Sequence, residues 1–197
     1  MVPSTLSKLD PVVVPAADQR AARAQPDLDE LYTAHFDFVW RSLRRLGVAE
    51  ASLDDATQDV FIVVYRRLTD YEPRWSARSW LFAIARRVAS DYRRRVRRKG
   101  GLAPLHDSIP APQQNDPFDG AVRGQASRIV GEFLDTLDED RRAVFILSEL
   151  EGMNAREIGE ALDANQSTVY SRLGSARKAL VRFVERNYRE ALGGGDE

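Results

Sequence analysis

Apolar residues recur along this chain at three- and four-residue intervals, and no segment alternates apolar with polar at period two. The first spacing lines one face of a helix, whereas a half-buried strand needs the second, so an all-α fold is expected. Leu28, Leu31, Tyr32, His35, Val39, Leu43 and Leu46 fall on one stripe, and Gly47 is placed to stop that helix. His35 on this stripe reads as a satisfied core histidine. Ser52 is expected to cap a second helix whose first turn holds Asp54 and Asp55, where the helix dipole favours carboxylates. Its inner stripe is Ala56, Val60, Val63, Val64 and Leu68. After the loop TDYEPRWSAR, the run SWLFAIARRVASDYRRRVRR reads as a long helix with Leu81, Ile84, Val88 and Tyr92 inward. Three such helices make one compact unit.

The stretch GGLAPLHDSIPAPQQNDPFDG then breaks the pattern with four Pro, three Gly and no Lys or Arg. A structureless piece of this length inside one compact domain would be unusual, so a tether between two small helical domains is expected. The expected division is a flexible arm at 1–26, a first domain at 27–99, a linker at 100–125, a second domain at 126–188 and a frayed tail at 189–197. Helical spacing returns at Ile129, Phe133 and Leu134. Asp138 is placed to cap the segment DRRAVFILSEL, with Val144, Leu147 and Leu150 inward. In NAREIGEAL, Asn154 is followed three residues later by Glu157, the capping-box arrangement. Ile158 and Leu162 form the buried edge of that helix. Asn165 caps the next, whose inner stripe is Val169, Leu173, Ala176 and Leu180. Two short helices across a tight turn, with a third before them, form a helix-turn-helix plan.

Charge is distributed unevenly. The formal net charge is only −1, yet residues 86–99 hold eight basic side chains against one Asp, and residues 132–163 hold ten acids against three Arg. Such patchwork suits different partners on different faces. With no Cys in the chain, disulfides, thiolate zinc sites and thiol redox sensing are excluded. His35 and His106 stand too far apart in sequence to read as a ligand pair, and no cofactor or metal is expected. No apolar run approaches a membrane span and the N-terminal stretch lacks a basic leader, so neither membrane insertion nor a signal peptide is expected, and the location is expected to be cytoplasmic.

On the second helix of the helix-turn-helix, Gln166, Ser167, Tyr170 and Ser171 face outward in the first two turns. Side chains of this kind hydrogen-bond base edges or phosphates in a major groove. Arg172, Arg177 and Lys178 flank them and suit the DNA backbone. An ordinary helical hairpin with a polar surface has the same pattern, and the residues alone leave that alternative open.

Two longer stretches carry a resemblance. DDATQDVFIVVYRRLTDYEPRWSARSWLFAIARRVASDYRRR resembles region 2 of bacterial RNA polymerase sigma factors of the extracytoplasmic-function type, within the sigma-70 family. LDTLDEDRRAVFILSELEGMNAREIGEALDANQSTVYSRLGSARKAL is similar to region 4 of the same family, and the two occur in the family's order. The resemblance implies a factor that binds core RNA polymerase, directs it to specific promoters and promotes melting, without enzymatic activity of its own. It implies that Asp55, Gln58 and Asp59 dock on the clamp helices of the beta-prime subunit, with the beta flap as a further polymerase contact. It implies minus-ten DNA contacts from Tyr71, Trp75 and Trp80, with Arg86, Arg87, Arg94 and Arg95 on strand phosphates; Trp80 reads equally well as core. The helix from Gln166 would read the minus-thirty-five element, and the acidic linker would thread through the polymerase. An anti-sigma factor is the further partner expected.

The family often has Gly at the turn where this chain has Asp163, and Pro where it has Asn165. Freed from polymerase, the domains are expected to sample other arrangements, with basic surfaces folded onto acidic ones. One alternative is a helix-turn-helix regulator acting as a dimer without polymerase. A remote one is a magnesium-dependent isoprenoid synthase, because DDATQD loosely resembles an aspartate-rich metal site.

Overall fold

The computed structural model describes residues 27–72, 74–98 and 117–193, and all regular structure among them is helical. The arm at 1–26, most of the expected linker and the last four residues lie outside the described residues. Helix α1 (Leu28–Arg45) begins at Asp27, whose side chain accepts from the Asp29 backbone N–H. Asp29 and Glu30 in its first turn and Arg44 and Arg45 in its last complement the macrodipole. Gly47 ends it at φ 86, a left-handed conformation that costs glycine little.

A 3₁₀ turn (Glu50–Ser52) leads into α2 (Leu53–Arg66). Ser52 makes no capping hydrogen bond, contrary to expectation. It closes the 3₁₀ turn at φ −118 and ψ 2, outside the extended conformation in which a cap side chain reaches the helix. Helix α3 (Ala77–Arg98) completes the first unit, and the three helices pack pairwise around Phe38, Leu43, Leu53, Val60, Leu81 and Phe82. Tyr32, expected inward, is 46% exposed at the stripe's margin, where its ring meets Phe61 at 4.7 Å.

The second unit contains α4 (Pro117–Asp135), α5 (Glu139–Phe145), a π-helical turn (Ile146–Leu150), α6 (Ala155–Leu162) and α7 (Gln166–Gly193). Helix α4 starts inside the stretch read as linker. Proline tolerates a first-turn position because its missing N–H has no partner there anyway. Helix α7 likewise continues into the stretch read as a tail, through residues that favour helix up to Gly193. Asp138 caps α5 as expected, accepting from the Arg141 N–H at 2.8 Å. That bond holds its carboxyl below the usual range.

Ile129, expected inward, is exposed; the buried stripe runs one position over, through Phe133, Leu134 and Leu137. Phe133 meets the rings of Phe145 at 5.0 Å and Phe183 at 5.6 Å, so Phe183 closes this core one turn beyond Leu180. The units touch where α3 packs on α6, with the Ser79 hydroxyl donating to the Glu157 carbonyl at 2.9 Å.

Candidate nucleic-acid interface

The helix-turn-helix is built from local bonds that fix α7 in direction. Asn154 Oδ1 accepts from the N–H groups of Arg156 at 3.0 Å and Glu157 at 3.1 Å, and Glu157 accepts from the Asn154 N–H at 2.9 Å. At the turn, Asp163 adopts the left-handed region at φ 49. The Ala164 N–H donates to the Gly159 carbonyl at 3.0 Å. The chain crosses so close to α6 that a Cβ on Gly159 would lie 2.6 Å from the Ala164 carbonyl oxygen. Only glycine allows that approach without displacing backbone. Asn165 then caps α7, accepting from the Thr168 N–H at 2.8 Å.

Val169, Leu173 and Ala176 are buried, which turns Gln166, Ser167, Tyr170 and Ser171 outward together, with Tyr170 62% exposed. Lys178 is exposed. Arg172 and Arg177 are engaged within their own unit: Arg172 pairs with Asp140 at 2.5 Å and Arg177 with Glu149 at 2.7 Å.

In the first unit Tyr71 and Trp75 are half-buried and linked, the Tyr71 hydroxyl donating to the Trp75 carbonyl at 3.0 Å. Arg74 lies over the Trp75 ring at 5.6 Å. Trp80 is buried, its ring edge-on to Tyr71 at 5.1 Å, and so presents no open face to a base in this conformation. Along α3, Arg87, Arg94 and Arg95 are exposed, with Arg95 over the Tyr92 ring at 5.1 Å. Arg86 instead reaches the second unit, pairing with Asp140 at 2.5 Å and Glu139 at 3.5 Å.

On α2, Asp55 and Gln58 are exposed, whereas Asp59 is half-buried and accepts from the Tyr92 hydroxyl at 2.9 Å. Burial, and behind it the Asp59 carboxylate, push the Tyr92 phenol up from its ordinary value. Beside Gln58 lies a groove of about 800 Å³ lined by Leu28, Tyr32, Phe36, Phe61, Ile62 and Tyr65. Ile62 and Tyr65 are both exposed. Its signal in the sequence is two large apolar residues three apart on the otherwise polar side of α2. Gly159 owes its importance to the local turn that brings Ala164 against it, and Glu151 to Arg41, Arg45 and Arg78, which reach it across the fold. Among the described residues, no group of three or more His, Cys, Asp or Glu is gathered as a metal site would need. No helix among them is long and apolar enough to cross a membrane.

Comparison with known proteins gives two family matches in chain order. Residues 31–99 match the model described as Sigma-70 region 2, and residues 127–180 match Sigma-70, region 4. The ECF RNA polymerase sigma factor SigE of Mycolicibacterium smegmatis is 32% identical over 172 residues, spanning 85% of this chain and 65% of that protein. RNA polymerase sigma factor CnrH of Cupriavidus metallidurans is 30% identical over 184 residues, spanning 86% of this chain and 92% of its own. The solved structure of CnrH in complex with the cytosolic domain of CnrY superposes with a TM-score of 0.63 at 25% identity, covering 84% of this chain and 94% of CnrH.

Proposed function

The chain belongs to the extracytoplasmic-function branch of the sigma-70 family, and from that premise we propose how its residues serve a factor that directs RNA polymerase to promoters. The observation that carries the proposal is the exposed polar face of α7, set at a fixed angle by the Gly159–Ala164 crossing. Gln166, Ser167, Tyr170 and Ser171 read the minus-thirty-five element in the major groove, with Lys178 on phosphate. Arg172 and Arg177 join them once released from Asp140 and Glu149.

The minus-ten element is met by the first unit. Tyr71 and Trp75 offer rings to an unstacked base, an exchange worth about 1–3 kcal/mol per base. Arg87, Arg94 and Arg95 hold strand phosphates, joined by Arg86 when free. Trp80 supports the pocket from within, as a core residue against Tyr71. Polymerase docks on α2 through Asp55 and Gln58, where Gln58 and Asp54 line the apolar groove. Charged groups beside a hydrophobic patch suit a helical partner surface with basic residues around an apolar centre. Asp59 contributes through Tyr92 and the fold of that face.

The same reading keeps two units, the first at 27–99 and the second extended by α4 and α7 beyond 126–188, and places the protein in the cytoplasm, where polymerase works. It performs no covalent chemistry. The CnrY domain bound to CnrH supports a protein antagonist here as well, an anti-sigma factor in this reading. The test is run-off transcription with purified core polymerase, alongside gel shifts with and without core. Strong promoter binding and start-site transcripts are expected only with core. Equal DNA affinity in both lanes, or a homodimer on palindromic DNA with no effect of core, would instead favour the regulator.

A further inference from the structure

The groove on α1 and α2 has an aromatic wall. Tyr32 meets Phe36 at 5.3 Å and Phe61 at 4.7 Å, and the Phe36 and Phe61 rings lie nearly parallel at 6.5 Å. Ile62 and Tyr65 extend the wall and stand 39% and 68% exposed. Large apolar side chains left bare in one patch call for an occupant. Leu28, the first residue of α1, lines the same groove, so the chain preceding it starts at the groove's mouth. The apolar run of that preceding chain is PVVVP at 11–15, and residues 11–17 carry no charge. Pro11 and Pro15 lack the N–H that a helix interior needs, and β-branched valines favour extended backbone. Val14, just ahead of Pro15, is steered to the same region. An extended, proline-bracketed segment is what aromatic-lined grooves take up, because it loses little freedom on docking.

We propose that residues 11–15 fill this groove from within the same chain and thereby cover the face of α2 on which polymerase docks. The covering half rests on the reading of Asp55 and Gln58 as polymerase contacts; the docking half stands without it. The lengths agree. Five residues in a polyproline-type conformation span about 16 Å. Asp54 and Tyr65, both on the α2 side of the groove, are separated by about 16 Å of helix rise. Twelve residues, 15–26, join Val14 to Asp27 and reach roughly 40 Å when extended, ample to fold back over α2. A short tether holds its segment at a millimolar effective concentration, which a second copy of the chain would have to match from solution. Gln58 lines the groove, so a segment seated there stands over it, and polymerase gains that surface only by displacing the segment. A groove filled about nine-tenths of the time raises the apparent Kd for polymerase roughly tenfold.

The test uses the full chain with a nitroxide on Ala16→Cys, a unique attachment point because the chain has no native Cys. Paramagnetic broadening is read at the Ile62 methyl groups, with Ile146 of the second unit as reference. Val13→Asp, made in the same labelled chain, puts a charge against the rings while leaving the tether unchanged, and so separates docking from mere proximity. Strong broadening at Ile62 is expected in the parent, and most of it should vanish in the variant. Affinity for core polymerase should rise roughly tenfold with Val13→Asp. Equal broadening in the two chains, strong or absent, would overturn the docking. Broadening carried from a nitroxide-labelled chain to a separate isotope-labelled one would give the groove to a second copy and overturn the intramolecular seat. Broadening lost by Val13→Asp with polymerase affinity unchanged would overturn the covering, whereas capture retained by Asp55→Arg would fault the polymerase reading instead.

Discussion

Gly159 and Gly174 lie in neighbouring helices of one small unit, and the same substitution should move stability in opposite directions at the two. At Gly174 an added Cβ meets nothing within 4 Å, so Gly174→Ala keeps only the gain in helix propensity, about 1 kcal/mol. At Gly159 the propensity gain is the same, but the new Cβ lands 2.6 Å from the Ala164 carbonyl oxygen. That atom is backbone in the turn and cannot swing aside, so the crossing must open. Forced overpacking costs about 1–3 kcal/mol, and an obstacle without rotamer freedom belongs near the upper end. The net expectation for Gly159→Ala is a loss of about 2 kcal/mol. Urea unfolding followed by far-UV circular dichroism measures both. Tryptophan fluorescence supplies an internal control, because Trp40, Trp75 and Trp80 all lie in the first unit. A Gly159→Ala midpoint at or above the parent's, or a Gly174→Ala midpoint below it, would refute the reasoning. Minus-thirty-five affinity should fall with Gly159→Ala and hold with Gly174→Ala, since only the former tilts α7.

Asp163→Gly should raise stability by up to about 1 kcal/mol in the same assay, because it relieves a left-handed residue at φ 49. Asp55→Arg should abolish capture of the protein by immobilised core polymerase without moving the unfolding midpoint. Asp59→Arg should lower the midpoint too, because the Tyr92 hydroxyl loses its acceptor. Trp80→Ala should cost about 3–5 kcal/mol of stability as a core truncation. Trp75→Ala should cost far less and show its effect in permanganate footprints of promoter opening. Burial, with Arg78 second, holds the folded pKa of His35 below 6.5, so folding favours its neutral form. Its contribution is therefore fully present above 6.5 and is lost as pH falls toward the folded value. Unfolding midpoints across that window should decline less steeply in His35→Gln than in the parent.

Local patterns were legible because their physics is local. The caps at Asp138, Asn154 and Asn165 follow from short polar side chains beside orphan N–H groups, and the buried stripes of α3 and α7 follow from spacing alone. Ser52 shows the limit of that logic: the residue type suits a cap, but the 3₁₀ turn that ends on it takes its backbone out of capping geometry. Tyr32 is exposed where the stripe placed it inward, and Trp80, which read equally well as core, is core, since a ring at the edge of a stripe is buried or bared by the neighbouring helix. The site residues were placed by family resemblance and pattern, yet their pairing was invisible. Nothing near Arg86 in sequence indicates that Asp140 and Glu139 lie against it.

The π-helical turn at Ile146–Leu150 leaves an insertion's signature in the helix that starts at Glu139. Removing one residue there would give a more regular spiral and a better local hydrogen-bond ladder. It would also rotate everything downstream by about 100°, the advance of one residue around the axis. Glu151 would swing away from its three arginines, and the reading helix would point elsewhere. A shorter variant of this segment could thus fold more smoothly and yet be deaf to its promoter, so length polymorphism here should be purged even where substitutions are accepted.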